Sequence, residues 1–104
     1  MLEAAFIFIA PGADPEKHRG TVETPEVRLT SIGVSTYEKG AAAAREMADA
    51  GCAAIELCGG FGIRGTYLVE QAVGDRAKVG AVRFDLITEF HKCLLCVSFD
   101  LPQG

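Results

Sequence analysis

Apolar and polar positions fall along this chain in blocks of differing period. Residues 4–10, Ala-Ala-Phe-Ile-Phe-Ile-Ala, form an unbroken apolar run closed by Pro11 and Gly12, which predicts a strand apolar on both faces. Residues 11–25 hold three prolines, two glycines and most of the early charge. They predict a loop with a helical turn at 14–18, Asp14 capping it and Pro15 at its first position. Residues 27–34 are β-branched and partly alternating, a second strand. A helix follows: Ser35 and Glu38 have capping-box spacing, Tyr37, Ala41, Ala44 and Ala48 recur at helical period, and Gly51 supplies the stop. Residues 53–58 predict a third strand. Residues 66–73 predict a short helix, with Leu68/Ala72 and Val69/Val73 pairs and Gly74 at its end, and residues 78–84 a fourth strand.

The order strand, helix, strand, helix, strand over 27–84, with short connections, is that of crossovers in a parallel sheet. The fold class is therefore α/β: a small, mostly parallel sheet of four to five strands, helices mainly on one face, and strand 4–10 central or paired in the same sheet. A fifth strand is expected at 93–99. Two helices of ~10 Å diameter cover about one face of a sheet roughly 20 Å wide. The second apolar face of 4–10 then calls for a cover, either the 11–25 loop or a second protomer, and a homodimer or larger homo-oligomer is expected.

Composition narrows the function classes. The 104 residues fit one domain, and 49% apolar against 23% charged residues is enough for a core. A domain of this size buries only about two thirds of its unfolded surface, so partner surface is a plausible source of stability. A net charge of −4, with ten scattered cations, argues against binding nucleic acid, which needs clustered Lys and Arg. No apolar run approaches the ~18 residues of a membrane span. The start Met1-Leu2-Glu3 lacks a basic leader, so a soluble cytoplasmic protein with reduced thiols is expected.

Candidate chemistry gathers at residues 53–65, where a strand carrying Glu56 and Cys58 runs into Gly59-Gly60-Phe61-Gly62. In open parallel sheets ligands sit beyond the carboxyl ends of strands. Alternation places Glu56 and Cys58 on one face and, for neighbouring strands in matching register, Arg83 and Asp85 beside them. A carboxylate in an apolar strand needs a partner. One reading is a structural Glu56–Arg83 ion pair at a protomer contact. The other is a pocket in which Glu56 acts as acid or base and Arg83 holds an anionic substrate. The glycine turn has two readings as well: Gly59, Gly60 and Gly62 present backbone amides to an anion with Arg64 nearby, or they serve a tight turn. The turn lacks the Walker and dinucleotide registers. Cys58 is either a nucleophile or a small core residue. His18 and Arg19 could close over the site from the loop. Cys93-Leu94-Leu95-Cys96 beside His91 falls short of the four ligands of a structural zinc site, so neither a metal nor a cofactor is predicted.

Read together, Ala4-Ala5-Phe6-Ile7-Phe8, Gly12-Ala13-Asp14-Pro15-Glu16-Lys17-His18-Arg19, Glu56-Leu57-Cys58-Gly59-Gly60-Phe61-Gly62 and Val82-Arg83-Phe84-Asp85 resemble a family of small bacterial proteins classed as a domain of unknown function. The likeness covers residues 1–85, and it implies no activity. Two hypotheses stand. One is a site for a small anionic metabolite at the carboxyl ends of the third and fourth strands, built from Glu56, Cys58, the glycine turn, Arg64, Arg83, Asp85, His18 and Arg19. The other is a non-catalytic homo-oligomeric or regulatory module whose Glu56/Arg83 face is a protomer contact.

Overall fold

The apolar N-terminal run forms the middle strand of a five-stranded sheet. The computed structural model describes residues 1–84, and β1 (Leu2–Ile9) is flanked in parallel by β3 (Val27–Val34) and β4 (Ala54–Leu57). β5 (Lys78–Ala81) runs parallel to β4 at one edge, and β2 (Arg19–Glu23) runs antiparallel to β3 at the other, giving the order β2-β3-β1-β4-β5. With helices α1 (Tyr37–Asp49) and α2 (Gly62–Val73), this is the mixed α/β fold expected, and its sheet is mostly parallel. The expected strand at 93–99 lies outside the described residues.

β2 corrects the expectation of a loop over residues 11–25. All five of its residues are exposed, so no apolar period marks it. The chain does turn at 14–18, where the amides of Lys17 and His18 donate to the Asp14 carbonyl. It then runs as an edge strand, joined to β3 by a turn in which the Thr24 hydroxyl oxygen accepts from the Val27 amide at 3.0 Å. β2 widens the sheet at its edge, and Ala13 before it reaches the helix-free face, its Cβ 3.3 Å from where a Cβ on Gly33 would stand.

α1 begins one residue later than the capping-box spacing implies. Thr36 is the extended N-cap, and its hydroxyl oxygen accepts from the Lys39 amide at 3.0 Å. Glu38 remains in the first turn, where a negative charge suits the helix dipole. The C-terminal stop is as expected: Gly51 has φ +104, its amide donates to Ala48, and the Cys52 amide donates to Met47, the paired bonds of a Schellman ending.

The small residues Gly40, Ala43, Ala44 and Ala48 form the buried stripe of α1, which lets the helix lie close to the sheet. With Val69 and Val73 of α2 they enclose Ala5, Ile7, Ile32, Val34, Ile55 and Leu57. Alternation assigns these strand residues to one face, so both helices share it. Phe61, fully buried, wedges between the helices and stacks on Tyr37 with ring centroids 6.0 Å apart. The opposite face keeps Leu2 and Val22 exposed and Phe6, Phe8, Val27 and Leu29 half-buried.

Candidate functional site

At the carboxyl end of β4 the chain turns within a few residues, and packing dictates each step. The Cys58 amide donates to Ile7, and the Cys58 sulfur accepts from the Ile9 amide at 3.3 Å, which ties the turn to the end of β1. A short 3-10 turn, Gly59–Phe61, drops the Phe61 ring into the core. Gly62 then adopts φ 62 and ψ −169, a backbone that only glycine holds without strain. α2 starts here, four residues before the alanine- and valine-based period suggests, and the Thr66 hydroxyl donates back to the Gly62 carbonyl at 2.6 Å.

The chain leaving β5 comes alongside this turn. The Val82 amide donates to the Leu57 carbonyl, and the Phe84 ring lies so near Gly59 that an added Cβ would stand 2.8 Å from it. Gly59 and Gly62 are thus explained by close approach and by backbone geometry.

Between the two segments opens a cleft of about 660 Å³. Gly59, Gly62, Ile63, Thr66, Tyr67 and Glu70 form one wall, and Ala81, Val82, Arg83 and Phe84 the other. Its lining is mainly apolar, with Thr66, Glu70 and Arg83 among its polar side chains. Ile63 is 91% exposed and Tyr67 56%, and Val82 and Phe84 are exposed too. Large apolar side chains thus stand exposed on two converging segments.

The predicted site residues separate. Gly59, Gly62 and Arg83 line the cleft; Gly60, half-buried, and Arg64, exposed on α2, do not. Asp85 lies outside the described residues. Glu56 pairs across the ladder with Gly80 and with Phe6, and is exposed on the helix-free face of the sheet. The expectation of a buried Glu56 facing Arg83 near the strand ends is therefore corrected. Arg83 lies three residues beyond Gly80, past the end of β5, in the wall of a cleft that Glu56 does not line. Cys58 is buried, its sulfur engaged as an acceptor.

His18 and Arg19 stand elsewhere. The Nδ1 of His18 accepts from the Asp14 amide at 2.8 Å. Arg19 donates from Nε to the Pro15 carbonyl and pairs with Glu46 at 3.2 Å. That pair borders a separate hollow of about 340 Å³ against α1, which shares no lining residue with the cleft.

Cys52 is buried after the end of α1; burial pushes its pKa up, and the Glu3 carboxylate adds to the effect. Among the described residues no group of three or more His, Cys, Asp or Glu side chains could hold a metal ion. His91, Cys93 and Cys96 lie outside them. No helix among the described residues is long and apolar enough to cross a membrane.

Ile63, Thr66, Tyr67 and Glu70 went unremarked as site residues. Ile63 and Tyr67 form an i, i+4 apolar pair apart from the buried Val69/Val73 stripe, so α2 is apolar on two sides, and that second stripe is the signal. Comparison with curated proteins and with solved structures finds no match. The chain belongs to a family of unknown function (DUF6506), whose model matches residues 2–93, eight residues further than the motifs alone extend.

Proposed function

We propose that this chain binds a small anionic metabolite with an apolar, ring-sized body in the cleft at the carboxyl ends of β4 and β5, as a binding module. The carrying observation is the convergence of Ile63, Tyr67, Val82 and Phe84, all exposed, on a cleft that Arg83 also lines. Its volume falls within the ~300–1,000 Å³ of typical small-ligand sites, which are largely apolar with a few placed polar groups. The planar guanidinium of Arg83 suits a carboxylate or phosphate, while Tyr67 and Phe84 suit the flat faces of a ring. Glu70 on the facing wall selects for a ligand with a donor at its far end, because a second anionic group there would be repelled.

Binding is favoured over catalysis because Glu56 and Cys58, the catalytic candidates of the sequence, lie apart from the cleft. Glu56 is on the other face of the sheet and Cys58 is buried behind the turn. Thermal-shift screening followed by calorimetry, using aromatic carboxylates, aryl phosphates and their uncharged analogues, tests the reading. Stabilisation by the anionic members, with affinity about tenfold or more lower in Arg83→Ala and lower again in Tyr67→Ala, is expected. No stabilisation across the panel, or binding that ignores both substitutions, would contradict it.

A further inference from the structure

The helix-free face of the sheet carries two cross-strand rows that match one another in size. Taken across β2, β3, β1, β4 and β5, the first row is Gly20, Ser31, Phe6, Glu56 and Gly80. The second, two residues along each strand, is Val22, Leu29, Ala4, Ala54 and Lys78. In every strand a large side chain in one row has a small one in the other: Gly20 with Val22, Ser31 with Leu29, Phe6 with Ala4, Glu56 with Ala54, Gly80 with Lys78.

A two-fold axis lying in the contact plane, perpendicular to the strands and running over Thr21, Thr30, Ala5, Ile55 and Val79, exchanges these rows between two copies. We propose that a second copy of the chain packs on this face as an isologous dimer about that axis. Phe6 of each copy then seats over Ala4 of the other, Val22 over Gly20, and Leu29 over Ser31. The sheets cross at roughly −30°, as aligned sheet packings do, so the fit is closest along the central strands β3, β1 and β4.

Charge agrees with size. Among the described strand residues on this face Glu56 and Lys78 are the charged ones, and they are opposite in sign. The rotation places Glu56 over Ala54 of the second copy, directly beside that copy's Lys78, and symmetry makes two such pairs. Glu56 thereby gains the partner that its place in an apolar strand calls for. With β1 and β3 eight residues long, β2 five, and β4 and β5 four each, the paired strands span a face of about 460 Å². Two such faces bury about 900 Å², the size of a weak, concentration-dependent contact, and Val22, 66% exposed, would be covered.

Light scattering coupled to size exclusion, on the full chain, tests this. Twice the 11.0 kDa chain mass is expected at about 100 µM, with Glu56→Lys and Lys78→Glu each weakening the dimer about tenfold and the double exchange restoring it to about the original affinity. Both side chains are exposed, so neither substitution threatens the fold. A monomer at that concentration, an assembly indifferent to the single reversals, or a double variant no better than the singles would overturn the proposal.

Discussion

A methyl group added at Gly40 would stand 2.6 Å from both Cε2 and Cζ of Phe61, closer than carbon atoms approach. Two effects then oppose each other in Gly40→Ala. Alanine in a helix interior is favoured over glycine by about 1 kcal/mol, and overpacking a filled core costs about 1–3 kcal/mol. The ring cannot slide away easily. It is fully buried, Tyr37 stacks against it at 6.0 Å, and its Cδ2 lies 3.0 Å from where a Cβ on Gly65 would be. Steric cost should prevail, with a net loss of up to about 2 kcal/mol and a fall in Tm of about 4–8 °C for each kcal/mol. Urea unfolding monitored by circular dichroism measures it. Gly40→Ala combined with Phe61→Leu should be more stable than the two separate losses imply, by about 1 kcal/mol, because the smaller side chain admits the methyl. If Gly40→Ala alone matches or exceeds the parent in stability, Phe61 is not the rigid wedge described, and the placement of the glycine turn above it loses its cause.

Other expectations follow from local geometry. Thr36→Ala should cost about 1 kcal/mol of stability and Ser35→Ala under about 0.5 kcal/mol, which urea unfolding separates; equal losses would restore Ser35 as the cap. Burial raises the Cys52 pKa above its ordinary 9.0, so the folded state holds this proton more tightly than the unfolded chain. The associated stability is fully present below about pH 9 and is lost as pH rises through the folded value, and Cys52→Ala should flatten that alkaline decline in a pH series of unfolding midpoints. For the same reason Cys52 should resist alkylation by iodoacetamide near neutral pH.

The elements that announced themselves are those with a buried side. β1, β3 and β4 carry apolar runs, and α1 carries alanines at helical period with a glycine stop; their residues pack the core. β2 stayed hidden because all five of its residues face water, while Pro11, Pro15 and Pro25 around it speak for a loop. The start of α2 was obscured in a different way. Gly59, Gly60 and Gly62 read as an open turn, yet Phe61 between them anchors the helix from the core, a tertiary effect that local propensity does not contain.

Three of the cleft's ten lining residues were legible from the strand order. The rule that ligands gather beyond strand ends led to Gly59, Gly62 and Arg83, and these do share a cleft. Alternation also placed Glu56 correctly off the face of Ile55 and Leu57, but the face it joins is the helix-free one, and Glu56 does not line the cleft. Which face of a sheet the helices cover is decided by the crossovers as a whole, and a single strand does not reveal it.

The most direct test of a ligand site in the α2/β5 cleft is a titration followed residue by residue. Backbone amide resonances of the full chain would be recorded in 15N-edited NMR spectra while an aryl phosphate or aromatic carboxylate is added. Saturable shifts concentrated at Gly59, Gly62, Ile63, Thr66, Tyr67 and residues 81–84, and lost in Arg83→Ala, are the predicted result. Shifts that fail to saturate, or that centre on the Arg19–Glu46 hollow instead, would contradict it.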